Sequence, residues 1–251
     1  MSLIKYELIK NKRIRGLHLV YLFPLLMSTI AMMELFKRLG LATTNQVVPL
    51  FSTFYFQSYI MFSPIIIALI LYSLIQVENK NQMWESSLLL PISKVRIYLG
   101  KVFISVVFIF AYCLISYLSY VAIIFICITF YPDHIALNLH DNYLLIIFHS
   151  RMLMAFILYG VLVIPIFIYI ESAITALGIF LFFIFLGLFL TQKSWYMYYP
   201  FSYHITVLKN HMTDYNLFKD KGALVVAIYT LIALLAGTFT FKYVNQRGMS
   251  N

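Results

Sequence analysis

Residues 102–131 run for thirty positions without a charged side chain, a proline or a glycine. As a helix that stretch measures about 45 Å. A strand is far shorter, and the hydrocarbon core of a bilayer is only about 30 Å thick. The run therefore demands lipid as its solvent, and its excess length predicts tilting or an extension beyond the lipid. The rest of the chain points the same way. Of 251 residues, 63% are hydrophobic and 11% charged, against about 45–50% and 25% in soluble domains. The mean hydropathy is +0.89. A soluble core of this size has no room for so much apolar surface. Disorder, collagen-like repeats and a disulfide-stapled secreted scaffold are excluded by the same numbers. The sequence reads as an all-α integral membrane protein.

Six segments reach or approach the roughly 20 apolar residues that a span requires. They are residues 17–36, 54–77, 102–131, 143–170, 174–190 and 223–243. Lys37 and Arg38 follow the first, and Glu78 ends the second. Pro165 predicts a kink near the end of the fourth, and Glu171 separates it from the fifth. The runs are continuously apolar, which argues against the alternation of a β-barrel. A basic N-terminus leads into a full-length span, so no cleaved signal peptide is expected.

The formal charge of +9 would suggest nucleic acid for a soluble chain. Here Lys and Arg lie beside apolar runs, as at anionic leaflets, so the expected partner is the lipid bilayer and not nucleic acid. With the N-terminus inside, the inner zones are residues 1–16, residues 78–101, the turn at Glu171 and the tail. They hold Lys5, Lys10, Lys12, Arg13, Arg15, Lys80, Lys94, Arg96, Lys101, Lys242 and Arg247. Outside fall Lys37, Arg38, Arg151, Lys193, Lys209, Lys219 and Lys221. The excess favours both termini in the cytoplasm. Cys113 and Cys127 share the third run, about 21 Å apart along a helix, and so cannot bond to each other within it. Both read as apolar packing residues.

Three segments outside the spans carry information. Residues 1–16 place Leu3, Ile4, Leu8 and Ile9 near one face and Lys5, Lys12 and Arg13 elsewhere. This predicts an amphipathic helix on the inner surface, serving as an anchor, as an elbow beside a cytoplasmic partner, or as both. In residues 78–101, Glu78 and Glu85 precede Trp84, Leu88, Leu89 and Leu90, and Pro91 then breaks the run. Ser93 predicts the cap of a new helix that opens with Lys94 and continues into the third span. Acids beside apolar side chains on a short interfacial helix suit either docking to another protein or simple flotation on lipid. In residues 191–222, Trp195, Tyr196, Tyr198, Tyr199, Phe201 and Tyr203 crowd around Pro200. A helical hairpin or half-buried segment is expected there, acting as an interfacial anchor or as a lip for an amphipathic substrate.

Familiar chemistry is missing. The sequence has no G-x-x-x-x-G-K-[ST], H-E-x-x-H or G-x-S-x-G motif and no metal-spaced cysteine cluster. His134, His140, His149, His204 and His211 fall in or near outer segments without a tight ligand spacing. No metal, cofactor or catalytic residue is assigned to this chain. Glu34, Arg151 and Glu171 lie near expected span ends, where water is within reach. That leaves no ionisable group at mid-membrane of the kind that proton- or sodium-coupled transporters use. A membrane body without its own energy source remains, with a docking segment on its cytoplasmic side.

This arrangement resembles the type-2 (ABC-2) family of ABC-transporter permeases. In that family the segment between the second and third spans reads as an acid, an apolar patch, Pro with a small polar residue, a basic residue and later Gly-Lys. Here those positions are Glu78 or Glu85, Leu88 to Leu90, Pro91 with Ser93, Lys94 or Arg96, and Gly100 with Lys101. Ser86 and Ser87 stand where the family has Gly-Thr. Length, short loops and the aromatic-proline segment also resemble the permeases of lantibiotic-immunity and related antimicrobial-peptide exporters. The resemblance implies six spans, an interfacial N-terminal helix and a cytoplasmic coupling helix over residues 79–96. It further implies pairing with a second copy or a sister permease above two ABC ATPase subunits, which would carry ATP and Mg. The first, second and fifth spans would line the seam, in a bacterial cytoplasmic membrane. Glu78, Trp84, Glu85, Leu88, Leu89, Pro91, Lys94 and Arg96 would form the ATPase-coupling interface. Trp195, Tyr198, Tyr199, Phe201 and Tyr203 would form the outer lip for a cationic amphipathic peptide. Two rival readings are an ABC permease for a lipid, polysaccharide or drug, and a non-transporting sensor or assembly subunit.

Overall fold

The computed structural model describes residues 21–38, 47–80, 93–130, 139–170, 172–193, 196–211 and 221–243. All regular structure among them is helical: α1 (Phe23–Arg38), α2 (Val47–Lys80), α3 (Lys94–Phe130), α4 (Leu139–Tyr169), α5 (Ala173–Leu190), α6 (Tyr203–His211) and α7 (Lys221–Tyr243), with short 3-10 turns at Tyr196–Tyr198 and Pro200–Ser202. A helix satisfies every backbone group within its own segment, which is the condition for entering hydrocarbon.

Four stretches are long and apolar enough to cross a membrane: Phe54–Ile75, Lys94–Ile126, Leu145–Phe167 and Gly222–Phe241. Two shorter apolar helices, Phe23–Glu34 and Ile174–Leu190, accompany them. Six full spans were expected, so two of the six fall short in length among the described residues. The expected N-terminal amphipathic helix lies outside the described residues.

α4 is the axis of the bundle and packs against α2, α3, α5, α6 and α7. Its neighbours sort their side chains by size and polarity. α1 turns Ser28 and Ala31 inward and leaves Leu25, Leu26, Ile30 and Met33 exposed. α3 buries Tyr112, Cys113, Ser116, Ser119 and Tyr120, while Phe103, Phe110, Leu114, Leu118 and Phe125 face out. Lipid is as apolar as leucine, so helices gain nothing by hiding leucine from it. Small residues and hydrogen-bonding side chains instead decide which faces meet.

The polar groups on these inner faces pair across helices. Tyr55, Tyr59 and Ser63 stand one turn apart on α2. The Tyr55 hydroxyl donates to the Ser116 carbonyl at 2.8 Å, the Tyr59 hydroxyl meets Cys113 Sγ at 3.7 Å, and Ser63 Oγ lies 2.9 Å from the Tyr112 hydroxyl. The Phe56 ring packs against Phe148 of α4 at a centroid distance of 4.0 Å. Cys113 thus packs as expected but also accepts a hydrogen bond.

α7 is seated differently. It touches α3 and α4, yet a Cβ added to Gly237 would overlap the Tyr98 hydroxyl of α3. Glycine is needed there because a tyrosine ring lies against the helix backbone. Tyr98 also packs on Phe241, with ring centroids 5.7 Å apart.

Candidate coupling and outer aromatic segments

On the side of the α2–α3 connection, the two helices take up both ends of the expected coupling segment. Glu78 lies in the last turn of α2, whose end is Lys80. The Arg96 and Ile97 amides donate to the Ser93 carbonyl at 2.9 and 3.2 Å, closing the first turn of α3. Lys94 is half-buried and Arg96 exposed at this helix start. One turn later Ile97, Tyr98 and Lys101 are buried. Of the expected coupling helix over residues 79–96, positions 79–80 belong to the end of α2 and 94–96 to the start of α3, and positions 81–92 lie outside the described residues. Any force applied at Arg96 acts directly on a helix that traverses the bundle. Trp84, Glu85, Leu88, Leu89 and Pro91 lie outside the described residues. Lys101, counted above with the loop charges, stands two turns inside α3 at 7% exposure.

The aromatic segment is built against α4, α5 and α7, with Tyr159 partway along the Leu145–Phe167 stretch as its main anchor. Pro200 opens its 3-10 turn at a position where a missing N–H costs nothing. Hydroxyl groups then fasten the chain. The Tyr159 hydroxyl of α4 reaches the Phe201 carbonyl at 3.2 Å and the His204 Nδ1 as well. Tyr199 donates to the Phe183 carbonyl of α5 at 3.0 Å, and Tyr229 of α7 donates to the Tyr198 carbonyl at 2.8 Å. Ser202 Oγ sits 2.6 Å from the Tyr196 carbonyl and 2.8 Å from that of Tyr199. The Phe201 ring stacks on Tyr159 and Phe183, with centroids 5.4 and 5.5 Å away. A Cβ on Gly187 would come within 2.8 Å of the Phe201 carbonyl oxygen, so glycine is what lets α5 lie against this turn.

The five residues expected to form a lip therefore separate. Tyr198 is exposed and Tyr199 half-buried, while Phe201 and Tyr203 are packed inside. Trp195 lies outside the described residues. Burial pushes the His204 imidazole down to about 3, with the Phe201 carbonyl opposing the shift, so the ring is neutral. Burial raises the Tyr199 hydroxyl, keeping it a donor.

Arg151 requires a correction. It was expected near a span end and in reach of water, but it is fully buried within Leu145–Phe167. His149, two residues earlier, is also buried, and its Nδ1–H donates to the Leu145 carbonyl at 3.0 Å. A signal for this buried polar layer exists in the sequence. Tyr55, Tyr59 and Ser63 repeat at four-residue spacing, and Tyr112, Ser116 and Tyr120 do the same. Among the described residues no group of three or more His, Cys, Asp or Glu is placed to hold a metal.

Comparison with known proteins bears on both segments. The family model described as ABC-2 family transporter protein matches residues 3–187, a range that includes the coupling segment and ends before the aromatic one. No curated protein and no solved structure matches the chain. Nearly three quarters of the sequence lies in the matched range, its described part is a bundle of apolar helices, and its family works as the membrane transport component beside an ABC ATPase: this chain is a multi-pass membrane protein of the ABC-2 transporter family.

Proposed function

We propose that the chain is the permease subunit of an ATP-driven exporter that expels amphipathic, antimicrobial peptides from the membrane or cell. The family match over residues 3–187 carries the reading. ATP and Mg belong on two partner ATPases, and a second copy or sister permease completes the path. Six helices cross the bilayer in this reading, with α1 and α5 as the short spans. The 17 residues of Ile174–Leu190 give about 25 Å, near the lower limit for a span. Both termini face the cytoplasm of a bacterial cell.

In this arrangement the ATPases grip the turn between α2 and α3 through Glu78, Trp84, Glu85, Leu88, Leu89 and Pro91, with Lys94 and Arg96 at its rim. ATP-driven closure moves the end of α2 and the start of α3, which are continuous with the bundle. In the aromatic segment, Tyr198 offers an exposed ring for cation–π contact with a cationic peptide, and Trp195 is the second ring assigned to this role. Phe201 and Tyr203 hold that edge in place from within.

Co-purification with a candidate ATPase in nanodiscs, followed by ATP hydrolysis with and without cationic peptides, tests the proposal. A complex whose hydrolysis responds to peptide is the expected result. A complex indifferent to every peptide removes the peptide cargo and leaves a permease for a lipid, polysaccharide or drug. No complex with a well-folded chain removes the docking argument. Glu85→Arg should uncouple hydrolysis from transport while expression holds, and unchanged coupling would take Glu85 out of the interface.

A further inference from the structure

A cleft of about 300 Å³ lies between α3 and α4. Its rim is Phe110, Leu114 and Ile146, all large apolar side chains that are exposed. Both helices are candidate spans, so the mouth opens toward hydrocarbon and not toward water. Tyr117, His149 and Ser150 line it together with the buried Cys113, and no Asp, Glu, Lys or Arg takes part.

The polar groups are not spread evenly. α3 and α4 are antiparallel, because Tyr117 packs on His149 while Tyr112, earlier in α3, packs on Phe156, later in α4. Tyr117, His149 and Ser150 consequently lie toward the α3–α4 connection, and Phe110 and Leu153 lie deeper in the bundle. His149 is one helical turn inside the apolar stretch that begins at Leu145, about 6 Å along the axis. The polar end of the cleft is thus the end nearer a lipid's headgroup, and Phe110 and Leu153 lie on the side of its chains. The Nδ1–H of His149 is taken up by the Leu145 carbonyl. Tyr117 and Ser150 supply hydroxyls that can donate.

We propose that this cleft is a specific site for one acyl chain of a membrane lipid, with its ester oxygens accepting from the Tyr117 and Ser150 hydroxyls and the chain passing Phe110 and Leu153. The volume suits the occupant: a cavity of about 150 Å³ accepts one benzene, so twice that takes about twelve carbon atoms. A cationic peptide is disfavoured because no acid lines the cleft to pair with it. The site stands whether or not the chain exports peptides.

The test uses the full chain in nanodiscs containing phosphatidylglycerol with a diazirine in its acyl chain. After illumination, adducts are mapped by mass spectrometry. Adducts concentrated on residues 110–117 and 146–153, and lost in Leu153→Trp or Ser150→Phe, support the site. Leu231→Trp, on the exposed face of α7, should leave them unchanged. Adducts spread evenly over the exposed faces of α1, α5 and α7 would overturn the proposal, since that is ordinary lipid solvation. Persistence of the adducts in both filled variants, each with an unaltered thermal transition, would overturn it too. Removal of the adducts by an equimolar cationic amphipathic peptide would overturn the lipid as occupant and make the cleft a cargo site.

Discussion

Within α4, most of Leu145–Phe167 is buried in the bundle at a mean hydropathy of 2.0, whereas in Gly222–Phe241 of α7, at a mean hydropathy of 2.2, only a minority of residues is buried. By the measure that finds membrane helices the two are nearly equal. Their polar groups explain the difference. Tyr159 on α4 reaches the Phe201 carbonyl 42 positions along the chain. The α7 threonines turn back on their own helix, Thr230 to the Val226 carbonyl and Thr240 to that of Ala236. A helix whose polar side chains reach outward becomes the axis of a membrane bundle. α7, whose threonines are satisfied locally and which reaches out through Tyr229 at its aromatic end, stays at the lipid boundary.

The largest expected effect comes from cutting the axis. Tyr159→Ala should cost about 3–5 kcal/mol, because the ring packs on Phe156, Phe180 and Phe201 and is fully buried. Leu231→Ala on α7, 62% exposed, should change stability by no more than about 0.5 kcal/mol. Thermal unfolding in one detergent gives both values, and equal shifts would break the comparison.

Glycines invert the ranking and so sharpen it. Gly237→Ala places a methyl into the Tyr98 hydroxyl and should cost about 1–3 kcal/mol. Gly160→Ala on the central helix meets the mobile end of Ile109 at 3.1 Å and should cost less. If α7 tolerated the change as readily as α4, its seat on Tyr98 would be dispensable.

Acid should loosen the part of the bundle that α4 holds through His204. The unfolded ring binds a proton below its ordinary value of 6.5, while the folded ring resists until about 3. Stability from this packing is therefore complete above pH 6.5 and falls as pH drops through that window. The loss reaches roughly 2 kcal/mol by pH 5. Hydrogen exchange of residues 196–211 against pH reads it directly, and His204→Gln should flatten the curve. Exchange in α7 near Leu231 should show no such dependence. The smallest effect belongs to single hydroxyls: Tyr55→Phe, which removes the bond to the Ser116 main-chain carbonyl, should cost about 0.6 kcal/mol, read from thermal unfolding in the same detergent.

Helical spans, class and family were legible because lipid imposes length and hydropathy on any sequence that crosses it. Positions 102–131 and 145–167 reveal their nature without reference to a neighbour. The family resemblance was legible in Glu85, Pro91, Ser93 and Gly100 with Lys101, positions outside the uniform apolar background. What the residues alone concealed was which face of each helix turns inward. Arg151 looked like a boundary residue because its charge fixed attention on the nearest water, and its burial is a property of α4 packed among its neighbours, not of the sequence around it. Phe201 and Tyr198, alike in the sequence, part company because the Pro200 turn directs one ring into Tyr159 and leaves the other outside. The cleft beside His149 exists only once α3 and α4 lie side by side.

The hydroxyls that fasten the aromatic segment have a further consequence. Tyr159, Tyr199 and Tyr229 all bond to main-chain carbonyls, those of Phe201, Phe183 and Tyr198. Every amino acid carries such a carbonyl, so the clasp on position 198 is indifferent to the side chain found there. The outward ring of Tyr198 can be exchanged over evolutionary time while its backbone stays moored. A surface of this kind is free to change its side chains without renegotiating the fold beneath it.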